Sequence, residues 1–159
     1  MKYFLVALLF GLLGNIQAQQ IKTVTPEWID GIHASKSDTL YIINFWATWC
    51  KPCVEELPYF EQLADTCTNK KVKIYLVTTD MRKDIATRVT DFIKAKKLTQ
   101  QVVFINELNA DKWINKVSEE WSGAIPATLM IKGDIGYKHF KEGELTFEEL
   151  QLLVNQVIP

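Results

Sequence analysis

The chain is poor in cysteine, with three, and in histidine, with two, and it carries no surplus of basic residues. Its 18 Lys and Arg stand against 19 Asp and Glu, a net charge of −1, and no basic patch argues for nucleic acid. Lys94, Lys96 and Lys97 do cluster, but at the end of a helical pattern they read as a solvated face that complements the helix dipole. A zinc site wants four ligands, and beyond a cysteine pair only His33 and His139 could contribute, so no metal is expected. Three cysteines allow at most one intramolecular disulfide and leave one thiol over. Repeats, low-complexity tracts and linkers are missing, which points to one folded unit.

The apolar segment Tyr3 to Leu13 follows Lys2 and precedes Gly14-Asn15-Ile16-Gln17-Ala18. A charged start, a short apolar core and a small residue before a polar stretch predict a secretory signal peptide over residues 1–18, with Ala18 the last residue removed. Eleven positions fall short of the roughly 20 that span a bilayer; an uncleaved membrane anchor is the alternative. No Cys lies just after the apolar run to carry a lipid. Residues 19–159 then form one exported domain of 141 residues, long enough for a real core, with 17 basic and 19 acidic residues once Lys2 is gone. Its setting is periplasmic or otherwise extracytoplasmic.

The domain alternates strands and helices. A short strand near Ile21 to Val24 leads to Thr25-Pro26, a cap and a first helical residue for a helix to about His33. Leu40 to Trp46 is a nearly continuous apolar run, as expected of a strand buried on both faces. After it Cys53, Leu57, Phe60, Leu63, Ala64 and Cys67 form one helical stripe, with Glu55, Glu61 and Asp65 off it and Pro58 inside, where a kink near Val54 is expected. Lys70 to Thr79 reads as a second buried strand, Asp80 as the start of a polar turn, and Lys83 to Lys97 as a helix. Val102 to Ile105 is a short strand and Ala110 to Trp121 a helix. Ala127 to Lys132 and Ile135 to Phe140 make an antiparallel hairpin, and Thr146-Phe147-Glu148-Glu149 opens the last helix as a capping box. The pattern is an α/β sandwich around a mixed sheet.

Chemistry concentrates in Trp46-Ala47-Thr48-Trp49-Cys50-Lys51-Pro52-Cys53, where a strand gives way to a helix. A helix N-terminus presents unpaired N–H groups and partial positive charge, which favour a thiolate there. Cys50 and Cys53 are therefore the redox pair, Cys50 the attacking thiol and Cys53 the resolving one. Pro52 suits the first turn because its missing N–H has no partner to lose. Lys51 adds positive charge that should favour the Cys50 thiolate, weakened by solvent screening. Trp49 shields the thiols and offers a flat apolar docking surface, while Trp46 belongs in the core. Glu56, three residues after Cys53, lies on nearly the same helical face. Its pKa should rise, from desolvation first and thiolate repulsion second, so that it can take the Cys53 proton. Glu55 reads as a solvated neighbour, and Cys67 as a buried thiol without redox duty.

The segment Trp46 to Pro58 and the later Gly123-Ala124-Ile125-Pro126-Ala127-Thr128-Leu129 resemble the thioredoxin superfamily, and within it the secreted TlpA/ResA type of thiol-disulfide oxidoreductase. The resemblance spans nearly all of residues 19–159. It implies a thioredoxin-like fold with an inserted strand-helix unit before a cis-proline loop at Ile125-Pro126, whose backbone would pair with a substrate strand. It implies a functional Glu56 and reduction of disulfides outside the cytoplasm, for example on apocytochrome c, with electrons from a membrane donor. The expected partners are protein thiols and disulfides, the expected state a monomer, and no cofactor is needed beyond the cysteine pair. Asn44 departs from cytosolic thioredoxins, which carry a buried Asp there; Asn cannot exchange a proton, so the base role falls on Glu56.

Two other readings compete. A peroxiredoxin-like peroxidase shares the fold, but its Pro-x-x-x-Thr/Ser-x-x-Cys pattern is missing, and Thr48 is one residue too close to Cys50. A copper- or haem-handling module could use two soft thiolates, yet such members space their thiols further apart and add a His near the cis-proline.

Overall fold

A computed structural model describes residues 20–158 of the chain, so the leader expected at residues 1–18 lies outside the described residues. Six strands form one sheet in the order β1-β4-β3-β2-β5-β6. They are β1 (Lys22–Val24), β2 (Leu40–Trp46), β3 (Val72–Thr78), β4 (Gln101–Ile105), β5 (Ala127–Lys132) and β6 (Tyr137–Glu142). β1, β4, β3 and β2 run parallel, and β5 and β6 are antiparallel to their neighbours. The expected mixed sheet and strand-helix insertion are both present: β4 lies between β1 and β3, and α5 (Asp111–Val117) follows it before the Ile125-Pro126 loop.

The helices are α1 (Glu27–Ala34), α2 (Lys51–Thr66), α3 (Arg82–Asp84), α4 (Thr90–Lys96), α5 and α6 (Phe147–Asn155), with a π-helical turn Ile85–Val89 between α3 and α4. The apolar run of β2 is explained by cores on both faces. Leu40, Ile42 and Trp46 pack with Cys53, Leu57, Phe60 and Leu63 of α2 and with Leu150 and Val154 of α6. Ile43 and Phe45 point the other way, into a cluster with Ile29, Tyr75, Val103, Trp113 and Trp121. Side chains alternate along a strand, so Asn44 shares the α2 face with Ile42 and Trp46.

Several boundaries differ from expectation for identifiable reasons. The first helix begins at Glu27, and Thr25 makes no side-chain cap; the entry is held by the Trp28 N–H to the Thr25 carbonyl and the Ile29 N–H to that of Pro26. The helix expected over Lys83 to Lys97 holds a π turn, where the Thr90 hydroxyl donates to the Ile85 carbonyl at 2.8 Å. α5 stops at Val117 because Ser118 is extended; Trp121 is buried from the loop, its indole N–H on the Ala124 carbonyl at 2.7 Å. β6 starts at Tyr137, two residues late, since the turn takes up Gly133 to Gly136. Glycine is required at 133, where a Cβ would lie 1.7 Å from the Ser35 carbonyl oxygen. α2 continues through Pro58 as one element, and α6 opens with the expected capping box between Thr146 and Glu149.

Candidate active site

β2 ends at Trp46, and a tight turn closed by the Cys50 N–H on the Ala47 carbonyl, 3.2 Å, delivers Cys50 to the N-cap of α2. Cys50 and Cys53 are joined as a disulfide with Cα atoms 5.3 Å apart. The Cys53 N–H donates to Cys50 Sγ at 3.3 Å, so the helix start already addresses the sulfur that would become a thiolate. Cys50 keeps 6% of its surface and Cys53 none. Pro52 sits in the first turn. Trp49 is 64% exposed beside the pair, and Trp46 is fully buried. Lys51 is exposed and pairs with Glu55 at 3.7 Å, so its charge is divided between Glu55 and solvent.

The Ile125-Pro126 bond is cis, and the Ile125 carbonyl oxygen lies 3.8 Å from Cys50 Sγ. β2 and β5 pair antiparallel up to Phe45 opposite Ala127, and this register brings the loop over the disulfide. Residues from two distant parts of the chain thus meet at one sulfur.

Glu56 is buried, with 2% of its surface exposed. Its Oε1 accepts from Asn44 Nδ2 at 2.6 Å and its Oε2 from the Leu145 N–H at 2.9 Å. Asn44 Nδ2 also reaches the Thr128 hydroxyl oxygen at 3.2 Å, and Asn44 Oδ1 is buried with no partner. Burial pushes the Glu56 carboxyl up to about 7; the two N–H donors oppose this, and the Glu144 carboxylate adds to it. The expected leading cause is present, whereas the second is Glu144 and not a thiolate, because the sulfurs are bonded to each other. Glu55 is exposed, as expected. Cys67 is a buried free thiol in the α2 core cluster, with the Thr66 hydroxyl 3.8 Å from its sulfur.

One residue of the site was not identified from the sequence. Asp80, read as the start of a polar turn, is buried. Its Oδ2 accepts from the Thr48 N–H at 2.9 Å and the Thr78 hydroxyl at 2.8 Å, and its Oδ1 from the Thr48 hydroxyl at 2.6 Å. The available signal was a pair of hydroxyl residues, Thr48 and Thr78, at the ends of two adjacent parallel strands with a single acid between their loops. Among the described residues no group of three or more His, Cys, Asp or Glu is placed to hold a metal ion.

This sheet, with a cysteine pair capping the helix after β2 and a cis-proline loop against it, defines a thioredoxin-superfamily protein. The model of the AhpC/TSA family matches residues 20–137, and the chain belongs to that family. It is 32% identical over 112 residues to the sporulation thiol-disulfide oxidoreductase A of Bacillus subtilis, covering 69% of this chain and 63% of that protein. It is 32% identical over 119 residues to the thiol-disulfide oxidoreductase ResA of Oceanobacillus iheyensis, covering 74% of this chain and 57% of the relative. The chain thus spans about three fifths of the length of these curated relatives. Among solved structures, StoA from Bacillus subtilis superposes with a TM-score of 0.55 at 29% identity, over 73% of this chain and 82% of that one.

Proposed function

We propose that the protein is an exported thiol-disulfide oxidoreductase that reduces disulfides of extracytoplasmic proteins through the Cys50/Cys53 couple. The observation that carries this reading is a cysteine pair at a helix N-terminus, touched by the Ile125 loop, with a buried carboxyl of pKa about 7 one turn along the same helix. In the reduced protein the Cys50 thiolate attacks a substrate sulfur, the substrate S–S bond breaks, and a mixed disulfide forms with release of one substrate thiolate. Cys53 passes its proton to ionised Glu56 and attacks Cys50 Sγ. The mixed disulfide breaks, the second substrate sulfur leaves as a thiolate, and two electrons have moved to the substrate while Cys50 and Cys53 become the disulfide.

Trp49 and the backbone of Ile125 flank the substrate. Among the described residues no backbone partner engages the Ile125 N–H, which suits pairing with an extended segment. Lys51 and Pro52 tune the couple, and Asn44 orients Glu56. Residues 1–18 direct export, and a membrane donor restores the dithiol to a monomeric enzyme that needs no metal or further cofactor. No helix of the described residues is long and apolar enough to cross a membrane. The family's name invites the peroxidase reading, but the Thr48 hydroxyl is committed to Asp80, on top of the missing proline pattern. The test is an insulin reduction assay together with the redox equilibrium of the couple. Catalysed reduction and a potential near that of thioredoxin support the proposal; peroxide turnover without disulfide reduction, or a potential near the strong oxidants, overturns it.

A further inference from the structure

The turn that carries Cys50 is held from outside by one carboxylate. Ala47 to Cys50 form the turn, Thr48 is its second residue, and both Thr48 donors, N–H and hydroxyl, end on Asp80. Asp80 is itself fixed: the Thr78 hydroxyl donates to Oδ2, and the Asp80 N–H returns to the Thr78 oxygen at 3.2 Å. On its outer side the Arg88 guanidinium, from the π turn, stands 3.7 Å from Oδ1 and pairs with Asp84 at 2.7 Å. Thr79 completes the seam, its N–H on the Trp46 carbonyl at 2.8 Å. The end of β3 and the exit of β2 are therefore laced together two residues before the sulfur that reacts.

A carboxylate with no exposed surface is costly unless its oxygens are bonded, and here two of its three close side-chain and backbone donors belong to a single residue of the turn. We propose that Asp80 is a positioning residue for the redox turn, acting through Thr48 to hold Cys50 at the α2 N-cap and against the Ile125 carbonyl. This rests on the oxidoreductase reading above. Asp80 touches neither the sulfur nor the substrate in this role. It decides where the thiolate stands, and reacting groups displaced by even a small distance lose much of their rate advantage.

The test uses full-length protein, reduced, with 5,5′-dithiobis(2-nitrobenzoate) as the disulfide probe and iodoacetamide for the pH profile of Cys50, each variant checked by thermal unfolding. Thr48→Val removes the hydroxyl tether and should slow attack on the probe on the order of tenfold, with the alkylation midpoint moving up toward that of an ordinary thiol. Thr48→Ser keeps both donors and should restore wild-type values. Thr78→Val loosens Asp80 from its own strand but leaves the Thr48 bonds, so it should lower thermal stability while leaving the midpoint in place. If Thr48→Val does not fold, Thr48→Ala makes the same comparison. Folded Thr48 variants with the wild-type rate and midpoint overturn the proposal, as does an equal midpoint shift in Thr78→Val. A wild-type protein that fails to reduce insulin sinks the functional reading instead, and the two failures are distinguishable.

Discussion

Glu56 makes the stability of this protein fall as pH rises through the neutral range. The folded protein holds the Glu56 proton up to about pH 7, whereas the unfolded chain releases it near the ordinary value of 4.5. Between those limits the unfolded state binds fewer protons than the folded one, so stability decreases with pH. The contribution is fully present below about 4.5, is lost on the way to about 7, and is gone above. A gap of about two and a half pH units corresponds to about 3 kcal/mol. Glu56→Gln cannot titrate, and the site can accept it: Gln Oε1 can take the Leu145 N–H, and its amide can donate to Asn44 Oδ1, now unpartnered, if the Asn44 amide reverses.

Urea unfolding of the oxidised protein at pH 4, 5, 6, 7 and 8 measures this. The wild type should lose about 3 kcal/mol more than Glu56→Gln across the series. His33, whose pKa burial lowers, is common to both proteins and cancels in the difference. Parallel stability curves would refute the reasoning, because they would mean that the carboxyl is solvated or that its proton is lost near the ordinary value.

Three further outcomes are expected. Alkylation of the reduced protein should modify Cys50 first, with a midpoint below that of an ordinary thiol, and Cys53→Ser should trap mixed disulfides that Cys50→Ser does not; first reaction at Cys53 or Cys67 contradicts the assignment. Cys67→Ala should keep reductase activity and cost about 1 kcal/mol in denaturant unfolding by lost packing, and loss of turnover in a folded variant would assign Cys67 a redox role. Glu56→Gln should slow release of the mixed disulfide on the order of 100-fold, with exposed Glu55→Gln as the unaffected control; equal small effects would leave Glu56 a structural residue.

The strands and helices legible in the sequence followed from local periodicity, and the cis-proline loop from the family resemblance. β2 showed itself because both faces are buried, and α2 because its apolar stripe coincides with the cysteine spacing. Periodicity also misled where a tertiary contact imitated it. Trp121 falls in phase with Trp113 and Val117, but it reaches the same core from a loop, in ring contact with Phe45 and Trp113. The π turn was invisible because nothing in composition marks one extra residue per turn. Glu56 could be placed beside Cys53 by helical spacing, yet its partners could not, since Asn44 is 12 and Leu145 is 89 residues away. Asp80 was missed for the same reason, its Thr48 contacts spanning 32 residues. Polar contacts across a sheet have no period to read.

Asparagine at position 44 sets the kind of titration the site performs. A second buried acid on β2, facing Glu56, would share protons with it, and the two would ionise in steps belonging to the pair. Asn44 instead presents a donor 2.6 Å from Glu56 Oε1, favouring the carboxylate without titrating. On the proposed mechanism one carboxyl serves Cys53, and the pH dependence of the resolving step should rise through a single midpoint near the Glu56 value of about 7. Asn44→Asp recreates the acid pair. It should split that profile into two midpoints, one of them above the wild-type value, because a negative charge facing Glu56 holds the remaining proton more tightly. Single-turnover release of a mixed disulfide across pH 5 to 9 reads this out. A profile unchanged in Asn44→Asp would show that Glu56 does not govern resolution and that the strand position is indifferent to it.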